Sequence, residues 1–153
     1  MISLAIKDRR GLEGMPLKLL IVSLLISLSA PVVVSSMGTF QARTSESMAL
    51  SAAEVIRETI TATYISGPGN HRVIDSPLGD AKCTIEIGGD LNQTESMVIK
   101  VMHDGGVDRI YLSDPSIRVT TVSGHPFQLT SGTGCLSFTC VADHGTYVEV
   151  SGS

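Results

Sequence analysis

The feature that most constrains this chain is a run without charge. From Leu19 to Ala42 no Asp, Glu, Lys or Arg occurs over 24 positions, and Leu19 through Val34 are nearly all Leu, Ile, Val, Ser or Ala. A helix needs about 20 apolar residues to cross the hydrocarbon core of a bilayer, so the run is long enough. Leu, Ile and Val fall on every side of a 3.6-residue wheel, which leaves no polar face for water. Such a helix requires a membrane or burial against identical helices. The run also explains how a chain with 17% charged residues reaches a mean hydropathy of +0.26. Its flanks suggest an orientation. Lys7, Arg9, Arg10 and Lys18 precede it against Asp8 and Glu13, whereas residues 67–153 carry five Lys or Arg and ten Asp or Glu. The positive-inside bias predicts a cytoplasmic N-terminus and an extracellular C-terminal part, so that the protein is single-pass in the cell membrane. A net charge of −4 with no basic cluster argues against nucleic acid as a partner, because phosphate neutralisation needs a basic face.

Three fates of the run fit its flanks. A secretory cut would follow Leu28-Ser29-Ala30, although Leu28 is large for such a site and Pro31 would come next. An uncleaved anchor needs only the run and its basic flank. In the third, the segment from Lys7 to Lys18 sets a basic pair and a glycine before the run, so a cut there retains the helix. Residues 7 to 36 resemble the class III signal peptides of archaeal type IV pilin-like proteins, which a membrane peptidase cuts after a glycine preceded by basic residues. The resemblance implies processing by a prepilin peptidase at Arg9-Arg10-Gly11-Leu12, with Leu12 as the mature start and a cut after Gly14 as the second choice. Bacterial type IV pilins carry glutamate at the fifth mature position; here Pro16 stands there, and Glu13 is at the second. The family further implies a non-enzymatic structural subunit of a pilus-like or pseudopilus-like surface filament. Its partners would be the membrane and copies of itself or related pilins, with Leu20, Leu24, Leu28 and Pro31 in the helix packing. Ser23, Ser27, Ser29, Ala30, Ser35, Ser36 and Gly38 would permit close approach of neighbouring helices. The alternative is a single-pass anchored surface protein whose β head binds a ligand or partner.

Downstream patterning predicts an α+β fold: a long N-terminal helix, membrane-spanning and then amphipathic, packed on a small antiparallel β-sheet head. Pro16 suits a first helical turn, and Pro31 should kink the helix or open its ladder, with Ser27 and Ser29 available to satisfy freed carbonyls. Phe40, Met48, Leu50, Ala53, Val55, Ile56, Ile60 and Tyr64 follow a roughly helical period, which Gly67-Pro68-Gly69-Asn70 ends. Eight β-like runs follow, at 72–74, 83–87, 97–101, 109–112, 117–122, 127–129, 136–141 and 147–150, separated by turn residues such as Asp104-Gly105-Gly106 and His144-Gly145. The organisation is a leader at 1–11, a transmembrane and stalk helix at 12–66 and a head at 67–153.

Chemistry-bearing residues are sparse. Cys135 and Cys140 are about 17 Å apart in an extended strand, too far for a bridge unless a turn intervenes. Alternation points Cys83 and Cys140 inward, which favours a Cys83–Cys140 disulfide outside the cell, with three reduced buried thiols as the alternative. His71, His103, His125 and His144 lack the i, i+4 spacing of a zinc-binding helix and read as surface residues, so no metal is expected. Asp104 and Asp108 flank a Gly-rich turn without EF-hand spacing. Thr130-Ser131-Gly132-Thr133-Gly134 lacks the order of a nucleophile elbow and reads as a hairpin loop. No catalytic residue and no cofactor is expected. Asn92-Gln93-Thr94 is an N-glycosylation sequon, with Asn92 as the candidate acceptor.

Overall fold

The computed structural model describes residues 9–79 and 81–152, and the protein has the α+β architecture expected. Helix α1 runs Arg9–Ile65. Eight strands follow: β1 (His71–Asp75), β2 (Thr84–Ile87), β3 (Val98–His103), β4 (Gly106–Tyr111), β5 (Val119–Thr120), β6 (Phe127–Leu129), β7 (Cys135–Ala142) and β8 (Thr146–Gly152). A 3-10 turn at Thr94–Met97 lies between β2 and β3. The chain forms two compact units, Met1–Gln41 and Ala42–Ser153. Residues 42–65 of α1 therefore belong to the same compact unit as the strands.

Each expected strand forms, but in two sheets instead of one. The orders are β1-β7-β8-β5 and β4-β3-β2-β6. All pairings are antiparallel except β5 with β8, where Val119 lies beside Val148 and Thr120 beside Glu149. Two connections behave as hairpins, at Asp104-Gly105 and Asp143-His144-Gly145. The Thr130–Gly134 segment does not. It passes from β6 in one sheet to β7 in the other, closed by the Thr133 amide on the Thr130 carbonyl at 3.0 Å. A turn sequence specifies a reversal; it does not say which sheet receives the next strand.

The core lies among the two sheets and α1. Alternation is clear in β7, where Leu136, Phe138 and Cys140 are buried between partly exposed neighbours, and in β2, where Ile85 and Ile87 are buried. From the helix come Ala49, Ala52, Ala53, Ile56, Ile60 and Thr63, spaced at three and four residues. This face differs from the expected stripe. Phe40, Met48 and Val55 are exposed, and alanines take their place in the interface. Small side chains let the helix backbone approach the sheets, while Ile56 and Ile60, each 0% exposed, contribute about 1.5–3 kcal/mol apiece by burial.

The helix ends where the breaker cluster predicts. Gly67 and Gly69 have φ of 88° and 85°, the Gly67 amide bonds the Tyr64 carbonyl at 3.0 Å, and the Asn70 side-chain amide donates to the Ser66 and Gly67 carbonyls. Helix is already present at Arg9, the first described residue, and runs on through Pro16. Pro31 does not interrupt the assigned helix either. Proline at 31 removes the donor for the Ser27 carbonyl. Ser27 and Ser29, however, donate to the Ser23 and Ile26 carbonyls at 2.8 and 3.1 Å, so these hydroxyls serve other carbonyls than the freed one.

Candidate functional site

The outstanding site is the apolar part of α1. Residues 16–42 are all exposed, and the helix contains an 18-residue window of mean hydropathy 2.4 with none of it buried. Leu20, Leu24 and Leu28 are 61%, 56% and 66% exposed, and Leu19, Leu25, Ile26, Val32, Val33 and Val34 lie on the remaining sides. About 25 cal/mol is at stake for each Å² of such surface removed from water, so an aqueous environment is strongly disfavoured. The helix is long and apolar enough to cross a membrane.

Serine and threonine on this segment hide their polarity within the helix. Ser23 donates to Leu20 O at 2.9 Å, Ser35 and Ser36 both donate to Val32 O at 3.0 and 2.7 Å, and Thr39 donates to Ser35 O at 3.1 Å. A hydroxyl satisfied by its own backbone needs no partner from another helix and is compatible with lipid or a packed helix. Arg9, Arg10, Gly11 and Leu12 lie in the first described turn of α1. Leu20, Leu24, Leu28 and Pro31 are in the middle of the exposed run.

In the head, the structure keeps Cys83, Cys135 and Cys140 as free thiols, so the favoured Cys83–Cys140 bridge is absent. Inward alternation holds for both residues, but Cys83 precedes β2 in one sheet and Cys140 belongs to β7 in the other. Cys83 donates to Ser45 O of α1 at 3.7 Å. Burial pushes both thiols up from their ordinary value, and Asp104 and Glu46 raise Cys83 further. Neither is an activated nucleophile. Cys135 is half-buried, with Sγ 3.6 Å from Asp75 Oδ1.

Asn92 is exposed on a turn between β2 and β3, where its backbone N–H donates to Asp90 Oδ1 at 3.0 Å. It also lines an open cleft of about 320 Å³ with Arg118, Asp143, His144 and Tyr147. His71, His125 and His144 are surface residues, as their turn-rich surroundings imply. His103 is not. Its side chain is 12% exposed and lies beside Asp108, a pairing across a hairpin that no helical spacing rule would find.

Comparison with protein-family models, curated proteins and solved structures returns no match.

Proposed function

We propose that the chain is a type IV pilin-like structural subunit of an archaeal surface filament or pseudopilus, assembled through the apolar part of α1. The observation that carries the reading is the combination of a charge-free, wholly exposed helical segment with a basic, glycine-containing leader before it. A prepilin peptidase would cut after Gly11 on the cytoplasmic side and leave Leu12 first. Glycines at 11 and 14 weaken helix locally by about 0.5–1 kcal/mol each relative to alanine, which favours opening of the backbone at the cut. The matured helix waits in the membrane and then exchanges lipid for copies of itself or related pilins. That exchange costs little, because lipid and helix neighbours are both apolar and the seryl hydroxyls are already bonded internally. The head stays outside the cell, with Asn92 open to glycan transfer. No catalytic role is assigned to any residue.

The test is maturation in a host that carries a prepilin peptidase. Native protein should lose residues 1–11, and Gly11→Leu should remain full length and absent from filaments. Cleavage-free native protein that still sits in the membrane would instead favour a single-pass anchor whose head binds a ligand or partner.

A further inference from the structure

The end of the β3–β4 hairpin carries a polar cluster on its core-facing side. In register, Ile99 lies opposite Ile110, Val101 opposite Asp108, and His103 opposite Gly106. These residues therefore share one face of the sheet. The apolar pairs continue into the core, but the last positions of the row are His103 and Asp108, with His103 Nε2 3.1 Å from Asp108 Oδ2. Glu46 arrives from α1 just before the first fully buried helical residue, Ala49. One ligand atom from each of Glu46, His103 and Asp108 lies within 4.8 Å of the others, and all three residues are partly buried.

We propose that Glu46, His103 and Asp108 bind a divalent transition ion of the Zn²⁺ class, which clips α1 to the β3–β4 hairpin. Two carboxylates brought together at a partly buried place repel each other unless a cation lies between them. Glu46 has no hydrogen-bond or salt-bridge partner among the described residues, so its carboxylate is available. One nitrogen and two oxygen donors suit zinc with a fourth position left for water, and the nitrogen disfavours Ca²⁺ and Mg²⁺. With bonds of about 2.0–2.1 Å, tetrahedral ligands stand about 3.3 Å apart, close to the observed His103–Asp108 separation.

The ion-free site holds a proton where the metal would sit. Gly105 N–H donates to His103 Nδ1 at 3.1 Å, which places the ring proton on Nε2, directed to Asp108. On binding, the metal takes the Nε2 lone pair, the ring proton moves to Nδ1, and no net proton is released from the imidazole. The Gly105 bond must then open. Gly105 and Gly106 form the end of the hairpin, and Gly106 has φ of 145°, so this backbone has the freedom to turn away. Cys83 stays outside the set: the ligand atoms that lie within 4.8 Å of one another come from Glu46, His103 and Asp108, while the Cys83 thiol donates to Ser45 O.

This inference is independent of filament assembly. The test is titration of the full chain in detergent micelles, stripped of metal by a chelator, with ZnCl₂ or CaCl₂ followed by calorimetry. Native protein should bind one equivalent of Zn²⁺, and Ca²⁺ at the same concentration should give no comparable heat. Glu46→Gln and His103→Gln should each weaken Zn²⁺ binding at least tenfold, while His144→Gln, an exposed change, should leave it intact. Glu46→Gln leaves the His103–Asp108 bond in place, so it decides the matter even if His103→Gln unfolds the hairpin. Absence of stoichiometric Zn²⁺ binding, equal binding by Glu46→Gln, or an equal response to Ca²⁺ would overturn the proposal.

Discussion

Gly88 offers a prediction whose size follows from two separable causes. It follows β2 with φ of 72°, and a methyl group built there would stand 2.6 Å from the Val119 backbone carbonyl oxygen. Gly124 has nearly the same φ, 73°, but nothing lies within 4 Å of a methyl group at that position. Gly124→Ala should therefore show only the left-handed backbone cost, about 1–2 kcal/mol. Reduced freedom of the unfolded chain returns about 0.4–1 kcal/mol of that, so a net loss near 1 kcal/mol is expected. Gly88→Ala carries the same term plus the clash. Val119 O cannot swing aside, because it belongs to the main chain and accepts the Gly89 amide at 3.1 Å. Overpacking of this kind adds about 1–3 kcal/mol, giving a total near 2–4 kcal/mol. Urea unfolding of the two variants in the same detergent, followed by far-ultraviolet circular dichroism, measures the difference directly. Equal losses for Gly88→Ala and Gly124→Ala would refute the account of how β2 meets β5.

Further outcomes follow from the helix face and the thiols. Ile60→Ala should cost about 2–5 kcal/mol in the same unfolding assay, whereas Val55→Ala, on the exposed side of α1, should stay within about 0.5 kcal/mol. In native protein near neutral pH, iodoacetamide should label half-buried Cys135 ahead of Cys83 and Cys140, whose burial keeps them as thiols; mass mapping of early products reads the order. Both buried thiols have folded pKa values raised above the ordinary 9.0, so their contribution to stability is complete below that pH and is lost as pH rises above it. Unfolding midpoints should therefore fall on the alkaline side of 9.0, and less steeply in Cys140→Ala. Asn92→Gln should leave unfolding stability within about 0.5 kcal/mol while abolishing any glycan mass on the head.

What the sequence reveals here depends on whether the signal is local. The charge-free run, the Gly67–Asn70 helix end and the alternation of Leu136, Phe138 and Cys140 are local patterns, and the structure reproduces all three. Sheet membership is not local. Nothing near Thr130–Gly134 says that β6 and β7 belong to different sheets, because the distinction is set by what each strand packs against. The helix face was hidden for a related reason. Large residues such as Phe40 and Met48 carry the strongest hydrophobic signal, yet close approach of α1 to the sheets selects Ala49, Ala52 and Ala53. The cluster of Glu46, His103 and Asp108 joins positions more than 50 residues apart, and only strand register together with the docked helix brings them within 4.8 Å.

The mass of the mature polypeptide isolated from its native membrane bears most directly on the central claim, that the apolar helix is kept after a short charged leader is removed. The account predicts a chain that starts at Leu12, or at Met15 if Gly14 is the residue cut. A mature chain that starts at Pro31 or beyond would contradict it, since the segment meant to hold the subunits together would have been discarded.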